Sequence, residues 1–472
     1  MQQNTQPEIE QTTTEIQKPL IGGYMESEIE NRTGHFIITA VQNNTAENSE
    51  AWQAIKDYAK RNDAQIICCP ILYNRNAWAQ PDEAENVHFE PVFKEYMVEN
   101  RVLLNDSVLL IGNAHVLPTA KNPLSGFDAA GLPGQTIVIP ASKIALECKP
   151  ALKGEKPITL LSTGTATMRN YIQRKAGVVS ELEHSFGAVI VQPGKMPRSV
   201  SVENGCFYDF DGNGVDFYGE SSKGFDSVAI TLGDVHAEKC PFDRLTALHD
   251  FVEVVAKSFF ETNIIIHDLL DFSSRNHHNR ENHFFRLEHD MAGGSVANDV
   301  KTAKKALQTI GEGLNVRFNI VESNHDLALD RWLNEADYRE DTINAETYLT
   351  LALQKVKAIR RGLSFNPFAF LMKSCKADAT FNPTDNSLQF HGVEFGNHGD
   401  KGPNGARGSI QAFRKLGRKM VIGHSHTPGI AGKVYQVGVS GSLDMGYNQG
   451  PSSWRHAHCI TYPNGQNQII FE

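Results

Sequence analysis

The sequence predicts an α/β fold: a layered C-terminal region preceded by a separate N-terminal α/β region. Short apolar, β-branched runs recur along the chain, separated by segments whose apolar residues fall three and four apart. Loops rich in Gly, Pro and Asn divide these segments, above all residues 117–134. In the second half, polar motifs follow the ends of the predicted strands, where layered α/β folds place their chemistry.

Residues 1–34 read as a disordered polar tail and lead-in. The first twenty or so are rich in Gln, Thr and Glu and lack the basic and apolar regions of a signal peptide. Residues 35–222 form the expected N-terminal α/β domain, of no assignable role. It opens with a strand at 35–41, a helix marked by Trp52, Ile55, Tyr58 and Ala59, and a strand at 65–72. Further strands are expected at 107–111, 136–139, 158–161 and 187–191. Asp209 to Gly214, with Glu220 at the twelfth position, fits the EF-hand loop pattern. The flanks do not read as helices, and a hairpin turning at Asp211-Gly-Asn-Gly explains the same residues.

Residues 223–472 form the expected C-terminal domain. Strands are predicted at 227–232, 263–266, 315–321, near 388–395 and at 419–422. Leu245, Leu248, Val252 and Val255 share one face of a helix after Pro241, and longer helices are expected near 296–311 and 344–361.

Composition is that of a soluble globular protein, 40% hydrophobic and 21% charged. No apolar run approaches the roughly 18 residues of a membrane span. Seven scattered cysteines without a CxxC favour free thiols in a reducing cytoplasm over a disulfide framework. A net charge of −10 argues against simple electrostatic attraction to nucleic acid, although Lys401, Arg407, Arg414, Lys415, Arg418 and Lys419 form a local basic segment.

Five motifs run in order through the second half: Asp234-Val-His236, Asp268-Leu-Leu-Asp271, Asn324-His325-Asp326, His398-Gly-Asp400 and Gly423-His424-Ser-His426. In extended chain, side chains at i and i+2 point the same way, so Asp234 with His236, and His424 with His426, are expected to converge. Mixed oxygen and nitrogen ligation without thiolate suits Mn²⁺, Zn²⁺, Fe or Mg²⁺. Both His391 and His398 precede a glycine. His398 is the preferred ligand because its surroundings read as a loop, while His391 falls inside a strand pattern.

This ordered set resembles the calcineurin-like metallophosphoesterase superfamily, which includes the Mre-type DNA-repair nucleases. The likeness spans roughly residues 225–440. It departs from the family at His267 and Ser323, where the family has glycine. The resemblance implies an αββα sandwich and a centre of two divalent ions, with Mn²⁺ preferred. It implies that Asp234, His236, Asp268 and His426 ligate the first ion, and that Asp268 as bridge, Asn324, His398 and His424 ligate the second. It further implies that His325 helps protonate the leaving group, that Asp326 orients His325, and that Asp271 supports the ligands from outside. His277, His278 and Arg280, shortly after the second motif, and Lys401 and Arg407 are candidate substrate contacts.

Two stretches, GHFIITAVQNNT…AQIICCPILYN and HGDKGPNGARGS, look like a group of tailed-bacteriophage metallophosphoesterases. These resemble pre-early DNA-transfer proteins of siphophages, associated with host-DNA degradation. The likeness implies a metal-dependent DNase in the cytoplasm of an infected cell. DNA is the expected substrate, and homo-oligomers and phage or host protein partners remain open. Two other readings stand beside it: a phosphomonoesterase or small-molecule phosphodiesterase with the same centre, and a host-takeover binding protein with a vestigial site.

Overall fold

The computed structural model describes residues 32–73, 87–220, 226–276, 279, 281–375, 377–384 and 386–472. Most of the expected N-terminal tail lies outside them. The strand Phe36–Gln42 is buried along its whole length. It pairs in parallel with Gln65–Ile71 and antiparallel with Gly187–Val191, and Arg198–Ser201 completes this four-stranded sheet. The helix Ser49–Asn62 makes the crossover between the parallel pair. Asn48 caps it by accepting from the Ala51 amide at 2.8 Å, and its buried face includes Trp52, Ile55, Tyr58 and Ala59.

The EF-hand-like pattern is a hairpin. Cys206–Phe210 pairs antiparallel with Val215–Gly219, and the Asp211 carboxylate accepts from the Asn213 and Gly214 amides in the turn. Asp209 is engaged by Arg198 through two bonds of 2.6 Å and is buried, so it is no calcium ligand.

The second half is built on a six-stranded sheet, in order Ala379–Asn382, Val316–Val321, Glu261–Ile266, Ser227–Thr231, Ala457–Thr461 and Asn467–Phe471. The first four are parallel neighbours. Alternation divides their side chains between two cores. Ile230, Ile264, Ile266 and Ile320 face the helices Phe242–Ala256, Val296–Ile310 and Asp326–Glu335. Ala229, Ile265 and Val321 face Val393, Phe395, Val421 and Val437 of a second, ten-stranded sheet region. Beyond that sheet, Phe413 of the short helix Ile410–Arg414 packs on Met420, Ile422 and Val434. The protein is therefore a mixed α/β fold with helices on the outer faces of facing sheets.

The expected separate N-terminal region is joined to the second half through that ten-stranded sheet. Its order runs from Gln389–Phe390 through Gly429–Ala431 into Leu146–Lys149 and ends at Arg101–Leu104. The junction is the antiparallel pairing of Gly429 and Ile430 with Glu147 and Leu146. A strand edge with unpaired amides and carbonyls seeks a partner, and sequence patterning does not say which one. Arg414 also pairs with Glu183, and Lys419 with Glu203 at 2.8 Å, across the same junction. All seven cysteines are free. Among the described residues, no helix is long and apolar enough to cross a membrane.

Candidate metal centre

The motifs meet because their strands are neighbours. Ser227–Thr231 leads to Asp234 and His236, Glu261–Ile266 to Asp268 and Asp271, and Val316–Val321 to Asn324 and His325. The facing sheet delivers His398 after Val393–Glu394, and His424 and His426 after Met420–Ile422. Backbone bonds join the first two loops, from the amides of Val235, His236 and Ala237 to the carbonyls of His267, Asp268 and Leu269, at 2.7–3.1 Å. Two glycines allow the close approach. A Cβ on Gly233 would sit 2.7 Å from the Val439 backbone, and one on Gly423 would sit 2.3 Å from the Asp234 carboxylate.

Asp234, His236, Asp268 and His426 form one buried group whose candidate ligand atoms all lie within 4.8 Å of one another. Asp268, His398 and His424 form a second. His398 Nε2 lies 3.1 Å from Asp268 Oδ2 and 3.0 Å from Asn324 Oδ1, which brings Asn324 into this group. Asp268 is thus common to both. His391 contacts Ser227 Oγ at 3.3 Å, and of the two candidates it is His398 that enters the cluster.

The reason the ligands converge differs from the expected extended geometry. His236, Asp268, His424 and His426 have φ of 44°, 44°, 74° and 58°. Tight left-handed turns, not i, i+2 alternation, aim these side chains. Left-handed backbone at non-glycine residues costs on the order of 1–3 kcal/mol each and persists where the surroundings impose it. Four such residues lie in this one cluster.

The supporting residues are partly those the sequence suggests. Asp271 lies 3.1 Å from His236 Nδ1 and fixes that ring. His325 Nδ1 donates to the Asp271 carbonyl at 2.7 Å. Asp326 does not hold the His325 ring. Its carboxylate accepts from the Leu270 amide at 3.0 Å and from Ser323 Oγ at 2.9 Å, tying the second loop to the third. Three further supports escape sequence reasoning. Glu238 accepts from the Asp271 and Phe272 amides at 2.8 and 3.1 Å. Ser440 donates to the Gly233 carbonyl at 2.8 Å. His458, fully buried, accepts the Gly233 amide at Nδ1 (2.9 Å) and donates from Nε2 to Glu472 (2.7 Å). Glu238, two residues past His236, was within reach of motif reading, whereas His458 sits alone in an apolar strand with no signal at all. Replacing His458 with Phe strands the Gly233 amide. A loss of about 1–3 kcal/mol is expected, read as a lower urea midpoint.

The electrostatics fit a cation. Burial pushes the Asp268 carboxyl up, but His398 and His325 override it and hold the group well below the usual carboxylate range. Asp271, likewise buried, is held at about 2 by the His236 hydrogen bond. Burial lowers His236 and His398, yet Asp271 and Asp268 raise the first, and Asp268 and Asp234 the second, each to about 9. Burial and the Asp268 charge push Asp326 up to about 7. One carboxylate oxygen each of Asp234 and Asp268 is buried with no hydrogen-bond partner. A buried anionic oxygen without a partner is costly unless a cation meets it, and the nitrogen and oxygen donor set suits a divalent ion.

The candidate substrate contacts fare differently. Lys401 and Arg407 are exposed, and their backbones pair antiparallel across the loop that follows His398. His277, His278 and Arg280 lie outside the described residues. Arg275, at the head of that run, is buried against Asp341 and Asp290 and is structural. Arg414 and Lys419 are engaged by Glu183 and Glu203.

Fold and site together define a mixed α/β protein with a buried His/Asp cluster compatible with metal binding. No family model matches the chain. The chain is 36% identical to Protein A1 of Escherichia phage T5, across 96% of its own length and 85% of that protein. It belongs to the family of that phage protein.

Proposed function

We propose that this chain is a two-metal-dependent DNase that hydrolyses DNA phosphodiesters, a phage early protein that degrades host DNA in the infected cell's cytoplasm and assists DNA transfer. The observation that carries the reading is Asp268, one ionised carboxylate shared by a buried ligand group and by a second that includes the half-buried His424, with His325 beside them. Asp234, His236, Asp268 and His426 would hold one ion, and Asp268, Asn324, His398 and His424 the other, with Mn²⁺ the preferred metal. Such ions, when bound, supply Lewis acidity toward the phosphoryl group and make water a nucleophile at neutral pH.

The chain's own residues do the rest. Asp271 fixes His236 through Nδ1, leaving Nε2 for the cluster. The Asp271 carbonyl accepts a hydrogen bond from His325 Nδ1–H, so Nε2 is the nitrogen left to carry a proton to the departing oxygen. His325→Ala is expected to lower DNA hydrolysis about 10²–10⁴-fold while metal content, read by elemental analysis, stays unchanged. Turnover of bis-p-nitrophenyl phosphate without any DNA cleavage would instead favour the small-phosphoester reading, toward which the net charge of −10 leans. DNA degradation in infected cells that survives Asp268→Ala would favour the binding-protein reading.

A pH dependence follows from the two raised histidines. With pKa values of about 9, His236 and His398 are protonated at pH 7 before metal arrives. Ligation needs neutral imidazole, so binding releases protons and affinity falls as pH drops below about 9. Calorimetry of Mn²⁺ binding in buffers of different ionisation enthalpy should show this release at pH 7 and less of it at pH 10. Equal heats across buffers at pH 7 would contradict it.

A further inference from the structure

The helix Ala345–Arg360 is long for an element that buries so little. Of its 16 residues only Leu351 is fully buried. It rests on the helix Asp326–Glu335 through Tyr348, whose ring meets Trp332 at 5.4 Å, and through Lys355, 2.7 Å from Asp330. On the other face Leu349, Leu353 and Val356 are 50%, 53% and 44% exposed. A contiguous exposed apolar stripe on a globular protein marks an interaction surface.

The spacing identifies the occupant. Glu346, Leu349, Leu353, Val356 and Arg360 recur at intervals of three, four, three and four, the seam of a two-helix coiled coil. The seam begins with an acid and ends with a base. Laid antiparallel on itself, it sets Glu346 of each copy against Arg360 of the other, brings Leu349 opposite Val356, and leaves Leu353 on the two-fold axis. A parallel pairing would set like charges together at both ends. Lys357 and Arg361 strengthen the basic end, and antiparallel helix dipoles favour the same arrangement. Such a contact is self-complementary and closes at two copies.

We infer that the Ala345–Arg360 helix is a homodimer interface, pairing antiparallel with the same helix of a second copy of this chain. Sedimentation velocity of the full chain over a concentration series tests it. The wild type should sediment as a dimer and Leu353→Asp as a monomer. Glu346→Lys and Arg360→Glu should each weaken the dimer about tenfold or more, and the double variant should restore it. These side chains are exposed, and far-UV circular dichroism with the thermal midpoint verifies that each variant is folded. A wild type that stays monomeric at every concentration would overturn the inference. So would a dimer indifferent to Leu353→Asp, or a double variant no tighter than the single ones.

Discussion

Asp268→Asn should abolish DNA hydrolysis, with a fall of about 10³-fold or more, and should remove metal from both ligand groups rather than one. Asp268 is 1% exposed, its Oδ2 reaches His398 at 3.1 Å and His236 at 3.6 Å, and its other oxygen has no hydrogen-bond partner. An amide has the same shape but supplies neither the charge nor a second anionic oxygen. Loss of one anionic ligand from a buried site leaves the remaining imidazoles facing a cation with less compensation. The comparison that isolates this role is Asp234→Asn, which belongs to the first group alone and should spare part of the second group's affinity. Isothermal titration with Mn²⁺ separates the two outcomes. Equal loss in both variants would argue against the bridge.

The second large effect concerns stability. Arg198→Met should destabilise the protein by about 3–5 kcal/mol, because it leaves Asp209 buried without its counter-charge. Arg198 binds both Asp209 oxygens at 2.6 Å, and the two side chains are 6% and 2% exposed. The same carboxylate accepts from Gln468 at 2.8 Å, so the pair ties the four-stranded sheet to the hairpin and to the edge of the six-stranded sheet. Arg198→Met combined with Asp209→Leu removes both charges and should recover much of the loss. Urea denaturation of the single and double variants measures this, and a double variant as unstable as Arg198→Met would contradict it.

Much of this arrangement was legible in the sequence, and the exceptions have physical causes. The strands Phe36–Gln42, Gln65–Ile71, Thr136–Ile139 and Glu261–Ile266 are apolar runs flanked by turns, and their burial makes them readable. The polar residues that gather in the cluster were legible as a set because Asp, His and Asn at strand ends have few structural reasons to recur in order. Three-residue strands such as Val434–Gln436 and the antiparallel junction at Gly429–Ala431 were not, because pairing is a long-range choice that local pattern does not encode. The left-handed turns at His236 and His424 escaped for a related reason. Nothing local favours a histidine there, and the fold imposes the conformation. Asp326 was read as a partner of its neighbour His325, whereas its bond to Leu270, far away in sequence, is visible only in three dimensions.

We propose a two-metal DNase bridged by Asp268. The most direct measurement is cleavage of plasmid DNA by metal-stripped protein as Mn²⁺ is returned stepwise, beside Asp268→Asn under the same conditions. Cleavage should be absent without metal, rise until a second equivalent is bound, and stay absent in the variant. A protein that leaves DNA intact with Mn²⁺, Mg²⁺, Zn²⁺ and Fe²⁺, or that still cuts it after Asp268→Asn, would contradict the claim.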